Sequence, residues 1–196
     1  GEMISLGSTL MTLGSHMLAH LDICTEARQP MEELNQRTNE NVHLNIRNRN
    51  QRVVIQAFQS TLNVRPTVTI GDTYPIFSGA AGKVFLSYYT KEECSDVLSE
   101  PDEYAAVNEV NQKIYDRFIG VTDQIRKLGY AISVNERKQG IVAVAAPVFD
   151  YTGKLSAVLT LVAPESRMDE ARLYEMGPIV RDQAALISAN MGYTGK

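Results

Sequence analysis

Two apolar runs near the C-terminal end constrain this chain more than any other feature. Ile141–Phe149 and Leu155–Val162 are almost unbroken stretches of Ala, Val, Ile and Leu, separated by Asp150-Tyr151-Thr152-Gly153. The separator is turn chemistry, Asp first and Gly last. A strand that is apolar at consecutive positions, rather than at alternate ones, is buried on both faces. The pair is therefore predicted as a hairpin in the middle of a sheet, and other elements must cover both of its sides. The remaining sequence supplies them. Residues 3–21 place Leu6, Leu10, Leu13, Met17 and Leu21 at helical spacing, with Gly7 and Gly14 sharing a face. A second helix is predicted from about Thr25 to Thr38, with Pro30 in its first turns. A third runs from about Ala80 to Tyr89, and a short one from Lys91 to Leu98. A long helical stretch begins at Pro101 and steps through Val107, Val110, Ile114, Phe118, Val121, Ile125 and Leu128 to a stop at Gly129. The last helix spans about Asp169 to Asn190, interrupted near Pro178.

The other strands alternate. Val42, Leu44 and Ile46 interleave with polar residues, as do Val53, Ile55 and Ala57, and the two segments meet at Asn48-Arg49-Asn50. Arg47, Arg49 and Arg52 cluster there and read as a polar hairpin tip. Thr67–Ile70 is predicted as a short edge strand, and Tyr130–Asn135 as one more. The expectation is an α+β domain, an antiparallel sheet between helices. The 196 residues, 44% of them hydrophobic, suffice for one such domain with a real core. A net charge of −4 and a pI near 5.4 argue against a nucleic-acid-binding face. No apolar run reaches the length of a membrane span.

Few patterns carry chemistry. "FSGAAGKVF" has a Gly-Lys pair, but a phosphate-binding loop would need Gly where Phe77 stands and a hydroxyl where Val84 stands. What remains is a helix N-terminus after Ser78, whose free N–H groups form a potential anion site or an ordinary helix start. His16 and His20 form an HxxxH pair, but Met17 occupies the place of the catalytic glutamate of a zinc protease. Cys24 and Cys94 stand apart and fit a reducing, cytoplasmic setting. Glu92-Glu93 and Asp102-Glu103 fall at helix starts, where they complement the dipole. No nucleophile, base and oxyanion site assemble, so an enzyme is not expected. Ala143, Ala145 and Ala157 make the central hairpin thin in side chains, either for close helix packing or for a ligand.

Four segments, in order, resemble the C-terminal, effector-binding domain of IclR-family transcriptional regulators. They are "SLGSTLMTLG", "LNQRTNENVHLNI", "GDTYPIFSGAAGKVFLS" and "IRKLGYAISVNERKQGIVAVAAPVFDYTGKLSAVLTLVAPESR". The resemblance covers nearly the whole chain, 1–196, with 1–22 as the opening helix. It implies a GAF-like (profilin-like) fold, an antiparallel sheet of about six strands flanked by helices. It implies a small organic acid as effector and DNA contact only through a winged helix-turn-helix expected to be absent here. No cofactor and no membrane contact are expected. The Gly7/Gly14 face of the apolar opening helix suggests a subunit contact, hence a homodimer or tetramer. A GAF-like sensor domain of another signalling protein is the alternative. Carried over position by position, the effector's acid group would meet the N–H groups of Ala80 and Ala81, flanked by Ser78 and Gly79. Four further pocket positions fall on Ser133, Ala143, Thr160 and Val162. Family members that bind two- and three-carbon acids are more polar at these four positions. Here Ala143 and Val162 are apolar, which favours a ligand with an apolar or aromatic body.

Overall fold

A computed structural model of the protein describes residues 22–99 and 105–195. The predicted opening helix with Gly7, Gly14, His16 and His20 lies outside them, as do Pro101, Asp102 and Glu103. The described chain runs α1 (Asp22–Thr38), β1 (Asn41–Asn48), β2 (Gln51–Phe58), β3 (Thr73–Pro75), α2 (Gly79–Tyr88), α3 (Lys91–Leu98), α4 (Ala105–Phe118), a 3₁₀ turn (Ile119–Val121), α5 (Thr122–Leu128), β4 (Ala131–Val134), β5 (Ile141–Phe149), β6 (Leu155–Pro164) and α6 (Glu170–Asn190). The strands form one antiparallel sheet in the order β3-β2-β1-β6-β5-β4.

The β5–β6 hairpin sits where its sequence demands, with a neighbour on each side and helices over each face. Val142, Val144, Ala146, Ala157, Leu159 and Leu161 face α1 and α6 in the larger core. Ala145 and Val158 face α2 to α5 in the second. Asp150 closes the turn by accepting from the N–H groups of Thr152 and Lys154, and Gly153 takes φ +80°.

Several elements depart from the sequence expectation. The helix predicted from Thr25 begins at Asp22, so Pro30 stands at its ninth residue rather than in its first turns. A proline there strips the Glu26 carbonyl of its helical donor. Asn190, at the end of α6, donates to that carbonyl at 3.3 Å, so the break is sealed by the neighbouring helix. Thr67–Ile70 forms no strand. The chain turns through Gly71 (φ +96°), gives β2 only the reciprocal bonds of Val54 with Gly71 and Asp72, and pairs instead at Thr73–Pro75. The long helix ending at Gly129 breaks at Ile119–Val121. Gly129 itself ends α5 with φ +75°, as predicted.

One ion pair ties the two ends of the larger core. Glu40 is only 4% exposed and receives both Nε and Nη2 of Arg167, at 2.6 and 2.8 Å. Arg167 Nη1 also holds the Val64 carbonyl at 2.7 Å. Arg167→Met strands a buried carboxylate. It is expected to lower stability by about 3 kcal/mol, the lower end of the range for such losses because Arg167 is partly exposed. Urea unfolding checks this.

Candidate functional site

The sheet face toward α2 is apolar at one end and polar at the other. On β1, Val42 and Leu44 point into the larger core, which puts His43 and Asn45 on the opposite face. On β6, Thr160 and Val162 share that face, as do Ala143 on β5, Ser133 on β4 and Arg52 on β2. Over them lies the N-terminus of α2. A cavity remains between the two layers, lined by these residues together with Gly79, Ala80, Ala81, Tyr74 and Arg137. It leaves about 40 Å³ for the centres of water-sized molecules, room for a few heavy atoms. The cavity therefore gathers seven of the eight residues named from sequence: Gly79, Ala80, Ala81, Ser133, Ala143, Thr160 and Val162. Ser78 stands just behind it.

The three alanines noted in sequence separate. Ala145 lies in the second core and Ala157 in the larger one, while Ala143 faces the cavity. Gly79 opens α2 with φ +65°, a value that favours glycine. Ser78, at the N-cap position, does not cap the helix. Its hydroxyl instead donates to the Pro75 carbonyl and accepts from Arg52. The first N–H groups of α2 therefore keep no side-chain partner and lie at the cavity wall.

Arg52 changes the character of the site. Read from sequence as part of a hairpin tip, it is 5% exposed and lines the cavity. The reason is the strand period: Val53 and Ile55 turn to the larger core, which sends Arg52 to the face under α2. Its Nη1 donates to the Pro75 carbonyl at 2.8 Å and to Ser78 Oγ at 2.9 Å, while its Nε is buried without a partner. No carboxylate among the described residues pairs with it. The Tyr74 ring lies against both guanidiniums, 5.0 Å from that of Arg52 and 4.1 Å from that of Arg137. Burial, then Arg137, pushes the Arg52 pKa down to about 9, with Tyr74 opposing, and the side chain stays charged at neutral pH. The apolar wall expected at Ala143 and Val162 thus faces a cationic one.

His43 is the second buried surprise. It is 4% exposed and its Nε2 has no hydrogen-bond partner. Burial first, then Arg137 and Arg52, pull its pKa down to about 3, against a smaller opposing effect from Asp72. The imidazole is neutral in the folded domain at pH 7. The unfolded chain protonates it near pH 6.5 and the folded domain does not, so stability is full above pH 6.5 and falls as pH drops toward 3. Between pH 7 and pH 5 the domain is expected to lose about 2 kcal/mol from this group alone. Urea midpoints at the two pH values check this, and His43→Gln should flatten the difference. Beside His43, Asn45 Nδ2 donates to Thr160 Oγ1 at 3.2 Å, which leaves the Thr160 hydroxyl proton for another acceptor.

Lys83 takes no part in the cavity. It pairs with Glu136, donates to the Ile132 carbonyl at 2.8 Å and sits 4.3 Å from the Phe118 ring centre. Among the described residues, no cluster of His, Cys, Asp and Glu could hold a metal ion. Cys24 and Cys94 are free thiols. No described helix is long and apolar enough to cross a membrane.

The sequence and the fold have counterparts among known proteins. Residues 15–189 match the family model for the C-terminal domain of the bacterial transcriptional regulator IclR. The chain is 34% identical over 192 residues to the HTH-type transcriptional regulator KdgR of Escherichia coli (strain K12), across 98% of this chain and 73% of that protein. It superposes with a TM-score of 0.70 on the C-terminal domain of E. coli KdgR, at 28% identity, covering 88% of this chain and all of that one. On the Thermotoga maritima IclR the TM-score is 0.78 at 25% identity, with 95% of this chain and 75% of that one covered. With the family model matched over most of its length, the chain belongs to the IclR family of bacterial transcriptional regulators.

Proposed function

We propose that residues 1–196 form an effector-sensing and oligomerisation domain, and that a small organic acid occupies the cavity under α2. One observation carries this reading: the buried guanidinium of Arg52 has no anionic partner and shares its cavity with the uncapped N–H groups of α2. A buried, unpaired charge costs several kcal/mol. An acid group bound there offsets that cost, and the helix dipole adds to its hold. The domain acts as a sensor rather than an enzyme. It passes effector occupancy, through the arrangement of subunits, to the helix-turn-helix that the names of its relatives describe. Such coupling requires that the acid bind one arrangement better than another. Cytoplasmic placement follows from that role.

A melting screen against a panel of small organic acids tests it. An acid at about 100 times its dissociation constant should stabilise the fold by about 2.7 kcal/mol. Ala143→Leu pushes three carbons into the cavity and is expected to abolish the shift while leaving the ligand-free melting temperature nearly unchanged. A destabilised variant, with no acid in the panel shifting the wild type, would refute the reading. Light scattering should show a dimer or tetramer, and a monomer of 21.7 kDa would contradict the oligomerisation role. No specific operator binding is expected from this acidic chain alone, since DNA affinity comes largely from neutralising phosphates.

A further inference from the structure

Besides Arg52 Nε, the lining of the cavity holds a second buried side-chain nitrogen without a partner. It is His43 Nε2, on β1 directly opposite Thr160 of β6 and on the same lining as Arg52 of β2. We infer that the cavity takes up a proton together with its anionic ligand, and that His43 Nε2 is the atom that holds it. The inference rests on the reading of the cavity as an anion site.

The argument is electrostatic and local. Among the described residues, the charges that act on the imidazole are Arg137, Arg52 and Asp72. Arg52 approaches from β2 and Arg137 from the β4–β5 loop, with the positive end of α2 above. Asp72 in the β2–β3 loop is the one opposing charge, and it is already engaged by the Thr69 N–H. Tyr74 on β3 turns its hydroxyl to Asp72 Oδ2 at 3.4 Å, and Asn45 and Thr160 carry no charge. The imidazole therefore sits in a positive field with no acceptor, and both conditions disfavour a proton. An anion in the cavity reverses both at once. It neutralises the field of the two guanidiniums, and it offers Nε2–H a charged acceptor in a site with little water. A neutral ring with its lone pair on Nε2 would repel the anion, and one with its hydrogen there would offer only a neutral donor, weaker than an imidazolium N–H. Proton uptake removes that repulsion and satisfies the buried nitrogen. The step is an acid–base one: hydronium from solvent gives its proton to the Nε2 lone pair, forming N–H and leaving water, and the proton returns to solvent when the ligand leaves. A sensor built this way reads acid concentration and pH together.

Sulfate is a suitable probe because it stays fully ionised across the working range, so any pH dependence belongs to the protein. A step that takes up one proton weakens about tenfold for each pH unit between the free and bound pKa values of the imidazole. Sulfate binding, measured by calorimetry on the wild-type chain, is expected to be at least tenfold tighter at pH 5.5 than at pH 7.5. On saturation at pH 5.5, both ring nitrogens of His43 should move to imidazolium ¹⁵N shifts. His43→Gln should bind sulfate more weakly and without the slope. Equal sulfate affinity at the two pH values, with His43 still neutral in the complex, would overturn the proton uptake and leave the anion site standing. Absence of sulfate binding at either pH would overturn the anion site and this inference with it. Should His43→Gln fail to fold, the wild-type ¹⁵N titration decides alone.

Discussion

Gly82→Ala is expected to destroy the domain, with a loss of about 4 kcal/mol or more, at the top of the range for single substitutions. A Cβ placed on Gly82 would stand 1.9 Å from the carbonyl carbon of Phe77 and 2.1 Å from its oxygen. These are backbone atoms, so no side chain can swing aside. Phe77 cannot retreat either. It is fully buried, and its N–H is held by Asn111 Oδ1 at 3.2 Å. The left-handed turn at Gly79 folds Phe77 back onto the first turns of α2, and Gly82 is the surface it lands on. This accounts for the Gly-Lys pair that superficially suggests a phosphate loop: the glycine serves chain packing, and the lysine pairs with Glu136. Gly120→Ala is the control. A Cβ there meets nothing within 4 Å, so the change is expected to be neutral or stabilising by about 0.4–1 kcal/mol. Circular dichroism melting of both variants is the measurement. A Gly82→Ala protein melting within a few degrees of wild type would show that the Phe77 turn adapts.

The sheet was legible because its signals were of the right kind. Two-sided apolar runs placed β5 and β6 in the centre, and alternation placed β1 and β2 beside them. Where expectations failed, a local rule met a tertiary one. Pro30 is tolerated deep in α1 because Asn190, distant in sequence, caps the carbonyl it exposes. Thr67–Ile70 has strand-forming residues but leaves them at the Gly71 turn, so pairing begins at Thr73. The site divides the same way. Residues named from the family resemblance line one cavity, yet His43, Asn45, Arg52, Tyr74 and Arg137 were not among them. A signal for three of these was present. Polar residues alternate with Val42 and Leu44, and Arg52 precedes the Val53–Ile55 run, on strands of a sheet whose central hairpin must be covered on both faces. A polar face that cannot reach solvent implies a buried polar cavity, and His43, Asn45 and Arg52 are the residues that alternation sends there. Tyr74 and Arg137 come from β3 and from the loop after β4. Nothing in their local sequence places them opposite each other, so only the fold brings Arg137 onto the Tyr74 ring.

Arg52→Met should separate binding from folding more sharply than any other change in the site. The methionine is similar in length and apolar, and it removes a charge that is buried without an anionic partner. Replacing buried ionic groups by apolar residues of similar volume is often neutral or stabilising. The hydrogen bonds lost are those to the Pro75 carbonyl and Ser78 Oγ, and the Pro75 carbonyl still receives the Ser78 hydroxyl. The ligand-free variant is therefore expected to lie within about 1 kcal/mol of wild type. Acid binding is another matter. A charged partner lost from a desolvated pair costs about 2–5 kcal/mol, so affinity for the acid should fall by about 30-fold or more. Arg52→Lys keeps the charge but loses the planar fork that reaches Pro75, Ser78 and the cavity together, and should bind with intermediate affinity. Urea unfolding without ligand and calorimetry with the strongest acid from the screen read the two effects independently. Wild-type affinity in Arg52→Met would remove Arg52 from the site and leave Arg137 and the α2 N-terminus to hold the anion. A collapse of ligand-free stability would mean that the guanidinium serves the fold, as a tie between β2 and the turn into α2.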